Sequence, residues 1–283
     1  MKKTFKALPI LAVAGLTLSA VAPVFAQEGA ISVISREDGS GTRGAFVEIV
    51  GVVDENDDDM TTQSAAIQNS TNGVMQTVGQ DAQAIGYISL GSLDDSVKAV
   101  TVDGVEATAE NIASEDYPIA RPFNVAWSGD LSEVAQDFLN FINSAEGQAV
   151  VVEEGYISVD EEAPAYEAAG VEGTVEVVGS TSVSPVMEKL AEEYQALNEG
   201  VTVNITANGS SAGMAAAQDG TADIGMASRA LDEDEAGALE HQAIALDGIA
   251  VIVNNDNPAT DLSLDAIRSI FLGEITEWEE AVK

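Results

Sequence analysis

Three stretches of this sequence are written in the same way. REDGSGTRGAF (36–46), GSTSVSPVM (179–187) and NGSSAGMAAAQ (208–218) each follow a short run rich in Val, Ile or Ala, combine Gly with Ser or Thr, and lead into a helical pattern. A chain that passes repeatedly from strand through a small-residue loop into a helix is confined to the α/β class. Further strand candidates fill the pattern at 31–35, 84–90, 97–102, 119–127, 174–178, 201–207, 223–227 and 243–254.

The helices carry apolar stripes that read as core. SPVMEKLAEEYQALNEG (184–200) takes Ser184 as its N-cap, Pro185 in the first turn, Met187, Leu190, Ala191, Tyr194 and Leu197 as its buried face, and Gly200 as its stop. The same spacing recurs in 131–147 through Val134, Phe138, Leu139 and Ile142, and in 262–273 through Leu264, Ile267, Ile270 and Phe271. Residues 160–173 have charge, Pro, Ala and Gly without a period and read as a linker. The acidic run 54–59 lacks the spacing and glycine of a calcium loop and reads as a solvated turn.

The first 26 residues predict an export signal. Lys2, Lys3 and Lys6 precede an apolar run over 7–22, and Val24-Phe25-Ala26 suits cleavage before Gln27. Cysteine is absent, which removes disulfides, thiolate metal sites, a cysteine nucleophile and a cysteine-linked lipid anchor. The net charge of −37 argues against a nucleic-acid or anionic-membrane partner. Eight cations follow the leader, Arg36, Arg43, Lys98, Arg121, Lys189, Arg229, Arg268 and Lys283, against 48 acids.

The three Gly/Ser/Thr loops share a chemistry. A helix N-terminus presents unpaired N–H groups and the positive end of its dipole, glycine lets the backbone come close, and hydroxyls add short donors. Three such ends aimed at one point would surround a small oxyanion. Arg36 is the natural charged donor, its planar fork suited to a tetrahedral oxyanion, with Asp38 expected to hold the fork in place. Gly39 to Gly44 also satisfies G-x-G-x-x-G, but three residues separate the strand from the first glycine, the helix stops near Gly51, and export disfavours a nucleotide cofactor.

Taken together, ISREDGSGTRGAF, AIGYISLGSL, YPIARPF, GSTSVSPVMEKLAEEYQ, NGSSAGMAAAQDGTADIGMASRAL, DGIAVIVN and IFLGEITEW resemble the phosphate-binding proteins of bacterial ABC-type phosphate importers, which are type II periplasmic binding proteins. The resemblance covers nearly all of the chain after the leader. Its order is exchanged: residues 30 to 160 match the family's second half and 174 to 283 its first, as in a circular permutation.

The resemblance implies a two-lobed α/β fold with one lobe built from 30–121 plus 250–283. The other lobe is 122–249, with 160–173 a tether inside it, and Ala30 and Lys283 lie near each other. It implies phosphate contacts from Arg36, Ser40, Gly41, Thr42, Thr181, Ser182, the Val183 backbone, Ser210 and Ser228, with Asp38 behind them. Some relatives place at the Ser228 position an aspartate that accepts the ligand proton and so excludes sulfate; Asp38 or Asp247 is the substitute to consider here.

No cofactor, metal or catalytic residue is implied, and the partners expected are inorganic phosphate and an ABC permease with its ATPase. The chain is expected outside the cytoplasm, periplasmic or extracellular, as a monomer with no membrane span after leader cleavage. The alternatives are a binder of sulfate, molybdate or a similar oxyanion, an exported phosphatase, or a surface adhesion protein. A phosphatase would need a base or metal, and the sole histidine, His241, lies in no partner motif.

Overall fold

The computed structural model describes residues 29–282; the leader and Lys283 lie outside the described residues. In chain order the elements are β1 (Ser32–Arg36), α1 (Gly41–Val50), β2 (Ala66–Gln68), α2 (Thr71–Gln80), β3 (Ala84–Ser89), β4 (Lys98–Ala99), β5 (Thr101–Val102), α3 (Ala109–Ala113) and β6 (Ala120–Trp127). Then come α4 (Glu133–Ile142), α5 (Ala145–Glu153), β7 (Gly173–Gly179), α6 (Ser184–Leu197), β8 (Val201–Ala207) and α7 (Ser210–Gln218). The chain ends with β9 (Ile224–Ala227), α8 (Glu233–Ala238), β10 (Glu240–Val253), β11 (Asp261–Leu262), α9 (Leu264–Leu272) and α10 (Trp278–Ala281).

One curled sheet runs through the molecule in the order β2-β1-β3-β10-β6-β9-β7-β8, with β4 also on β10. At its two ends the strands are parallel, β1 with β2 and β3, β7 with β8 and β9. In the middle they are antiparallel: β10 pairs with β6 over 240–248 and with β3 over 249–253. Strand β10 is therefore shared by two halves of the sheet.

Each half buries its own core. The first joins Phe46, Tyr87, Ile119, Val251, Phe271 and Trp278; the second joins Phe123, Phe138, Val177, Leu190, Tyr194 and Ala245. Phe46 stacks on Tyr87 at 4.0 Å and meets Phe271 edge-on at 4.7 Å, so helix α1 is clamped from two sides. The core changes hands between Ile119, just ahead of β6, and Phe123 on β6, and between Ala245 and Ile249 on β10. Among the described residues, only these two strands pass from one core to the other.

The stretch read as one helix over 131–147 is two. Ser144 caps a new helix by accepting the Gly147 N–H at 3.1 Å, and a side chain at Gly147 would strike the Phe141 carbonyl. The segment between α5 and β7 has no regular structure, as its composition predicts, yet it is tied down. Tyr166 donates to Asp137 at 2.6 Å, receives Asn198 at 3.0 Å and packs on Phe141.

The two described ends meet on the first core. Ala30 bridges Glu277, Ile31 N–H donates to the Thr276 carbonyl at 2.8 Å, and Trp278 N–H donates to the Gly29 carbonyl at 3.1 Å.

Candidate anion-binding site

Four helix N-termini face one another where the two halves meet. Ser40 caps α1, accepting Arg43 N–H at 3.3 Å, and Ser70 caps α2, accepting Gly73 N–H at 3.0 Å. Helix α7 begins after Gly209, whose φ of +113° suits only glycine comfortably. Its Ser211 N–H crosses to the Gly39 carbonyl at 3.1 Å, so one helix's orphan donor is satisfied by the opposite half.

Helix α6 corrects the expectation for Ser184. Its N-cap is Val183, in helical conformation, while Ser184 is already in the first turn and donates to Glu188 at 2.7 Å. The cause lies upstream. Ser180 accepts Ser182 N–H at 3.1 Å through its side chain and Ser184 N–H at 3.1 Å through its carbonyl, winding a turn over 181–183 ahead of the helix. That turn carries Thr181 and Ser182 toward the other half.

The side chains converge there. Thr42 and Ser182 hydroxyls are 2.8 Å apart, Thr71 and Ser182 are 3.1 Å apart, and Ser180 donates to Ser228 at 2.9 Å. Ser228 also lies 3.4 Å from both Thr42 and Ser210. Arg36, only 2% exposed, donates to Thr181 at 3.0 Å and lies 3.5 Å from the Thr71 hydroxyl. Of the residues singled out from sequence, Arg36, Thr42, Thr181, Ser182, Ser210 and Ser228 are joined by these contacts. Ser40, Gly41 and Val183 are buried at the helix ends beside them.

Gly41 has an ordinary helical backbone, so its use is spatial. A Cβ there would strike the Ser210 hydroxyl and come 2.9 Å from that of Ser228. Gly41→Ala should therefore oppose the approach of the two halves by about 1–3 kcal/mol. Calorimetry should read this as a 5- to 150-fold loss of anion affinity, with ligand-free melting little changed.

Asp38 does not hold the Arg36 fork. It is fully exposed and accepts Arg43 at 2.9 Å, and Arg43 also donates to the Arg36 carbonyl at 2.9 Å. Arg43 sits one turn into α1 and draws Asp38 outward. Glu37 takes the role instead, receiving Arg36 Nε and Nη2 at 2.7 Å each in a two-point pair. Asp247 is likewise committed elsewhere: it accepts Arg121 at 2.9 Å and Ser89 at 3.0 Å.

Thr71 escaped the sequence reading although its segment, QNSTNGVMQ, has the small polar residues of the other three loops. The strand before it, β2, is only three residues long, which hid the strand-loop-helix order.

A groove of about 910 Å³ runs along the rim past Ser40, Arg43, Val47, Ser211 and Arg229. Both arginines in it are paired, Arg43 with Asp38 and Asp59, Arg229 with Glu235. His241 lies on β10 opposite Ala126. Among the described residues no acid, His or Cys cluster could hold a metal ion, and no helix is long and apolar enough to cross a membrane.

A PBP superfamily domain model matches residues 12–146 and 164–283. The chain belongs to the PBP superfamily. Relatives of this PBP-superfamily chain include phosphate-binding protein PstS 2 of Streptococcus pneumoniae serotype 4, 52% identical over 255 residues, covering 89% of this chain and 88% of the relative. Phosphate-binding protein PstS 2 of Streptococcus agalactiae serotype V is 44% identical, covering 99% of this chain and all of the relative. A crystal structure of a phosphate ABC transporter phosphate-binding protein from S. pneumoniae TIGR4 superposes with a TM-score of 0.73 at 51% identity, covering 90% of this chain and 100% of that one. The mixed α/β architecture with two cores around a shared strand pair is the two-lobed periplasmic-binding-protein fold of this superfamily.

Proposed function

We propose that the chain is an extracytoplasmic solute-binding protein that captures inorganic phosphate between its lobes and delivers it to an ABC permease. One observation carries the reading. Buried hydroxyls and Arg36 from both halves converge on four helix N-termini, so a small oxyanion seated there would be gripped by both at once. Relatives matched over most of their length are named phosphate-binding proteins, which supports phosphate as that anion.

In this reading Arg36, Ser40, Gly41, Thr42 and Thr71 act from the lobe of residues 30–121 and 250–283. Thr181, Ser182, Val183, Ser210 and Ser228 act from the lobe of 122–249. Glu37 orients the Arg36 fork. The protein binds the anion without turning it over, in keeping with relatives named as phosphate-binding proteins. The large negative charge is no obstacle: the Debye length is about 8 Å at physiological salt, so local donors decide affinity.

The exchanged order of the two halves is read as a circular permutation. The meeting of residues 29–31 with 276–278 supports it, since an old chain connection there would have been short. The tether through Tyr166 would then join the former ends.

Isothermal titration with phosphate and with sulfate from pH 5 to 9 tests the ligand. Ser228 supplies a hydroxyl where a carboxylate would repel sulfate, which makes sulfate the comparison that matters. Saturable 1:1 phosphate binding with weak sulfate binding is expected; tight sulfate and weak phosphate binding would overturn the assignment.

A further inference from the structure

Arg121 and Asp247 form the most deeply buried ion pair among the described residues, each side chain 1% exposed. They are register partners on β6 and β10, at the point where both strands pass from one core to the other. Burial pushes the Asp247 carboxyl up and the Arg121 guanidinium down from their ordinary values, each opposed by its partner's charge. The intrinsic basicity of the guanidinium keeps the pair ionised.

Stability alone does not account for such a pair. Two buried charges lose so much hydration that an apolar pair of similar volume is often as stable or more so. What an apolar pair cannot supply is the third bond: Arg121 Nη1 donates to the Ser228 carbonyl at 2.8 Å. Asn124, also on β6, donates to the next carbonyl, that of Arg229, at 2.8 Å. Both residues follow the end of β9, so side chains of the crossover strand take the place of a sheet ladder for this loop. On the other side Asp247 accepts Ser89, the last residue of β3 in the opposite lobe. A continuous path thus runs from Ser89 through Asp247 and Arg121 to Ser228, whose hydroxyl stands among Thr42, Ser180 and Ser210.

We infer that Arg121 is a positioning residue for the anion seat, fixing the Ser228 loop to the pair of strands about which the lobes turn. The inference rests on the phosphate reading for its ligand. Lobe rotation and placement of the Ser228 hydroxyl then become one event, because the same guanidinium holds the pivot and the loop.

Arg121→Lys separates this role from a purely structural one. Lysine can neutralise Asp247 but lacks the fork that reaches Ser228 at the same time. In ligand-free Arg121→Lys, amide hydrogen exchange across residues 225–231 should rise while ligand-free melting stays near that of the wild type. Phosphate affinity should fall roughly tenfold or more. The double variant Arg121→Met/Asp247→Leu, which leaves no unpaired charge, should lose affinity to a similar degree. Unchanged exchange in Arg121→Lys, or wild-type phosphate affinity in either variant, would overturn the inference. Absence of phosphate binding by the wild type would remove the phosphate reading instead, and the exchange measurement would still decide for or against Arg121.

Discussion

Arg36→Ala should weaken phosphate binding by about 30-fold to several thousandfold, the 2–5 kcal/mol expected when one member of a hydrogen-bonded, desolvated charge pair is cut away. Two losses combine. The anion seat loses its buried guanidinium, which touches Thr181 and reaches toward Thr71. It also gains a free carboxylate, because Glu37 spends both oxygens on Arg36 and is left facing the seat unpaired. Removing that carboxylate should return part of the loss, so Arg36→Ala/Glu37→Gln should bind more tightly than Arg36→Ala alone. Titration calorimetry on the two variants checks both statements, and an Arg36→Ala protein with unaltered affinity would place the site elsewhere.

Asp247→Ala should cost about 3–5 kcal/mol of folding stability, since it leaves Arg121 charged, fully buried and without its counter-ion. Denaturant unfolding monitored at fixed pH reads this directly. Arg121→Met/Asp247→Leu should recover most of the loss, because it is the unpaired charge and not the missing ion pair that destabilises. A single variant within about 1 kcal/mol of the wild type would mean that water or a neighbouring group reaches Arg121, contrary to the packing around it.

Much of the fold was legible because period and punctuation agree locally. Gly51 and Gly273 end α1 and α9 in the left-handed conformation that glycine favours, and the strands over 201–207 and 224–227 fall where β-branched and small apolar residues gather. Elements that depend on distant partners were not legible. Strand β2, with the sequence AIQ, is a strand only because β1 lies beside it.

The site divides in the same way. A Gly/Ser/Thr loop before a helix announces a donor-rich N-terminus, and that was enough to mark the three loops, whereas Thr42, Ser182 and Ser210 within them were implied by the family resemblance. Which acid holds Arg36 was not written in the spacing, since Glu37 and Asp38 are both adjacent and only the reach of Arg43 back along α1 separates them. The YPIARPF and DGIAVIVN segments fall at the lobe bounds that the resemblance implies, but nothing local pairs Arg121 with a residue 126 positions away. Such long-range charge pairing is fixed by sheet register, which no short window of sequence contains.

The most direct measurement is a crystal structure of the protein grown with phosphate. One tetrahedral anion is expected between the lobes, within hydrogen-bonding distance of Arg36, Thr42, Thr181, Ser182, Ser210 and Ser228 and of the N–H groups that open α1 and α6. An anion bound instead in the outer groove by Arg43 and Arg229, or contacting residues of one lobe only, would contradict it.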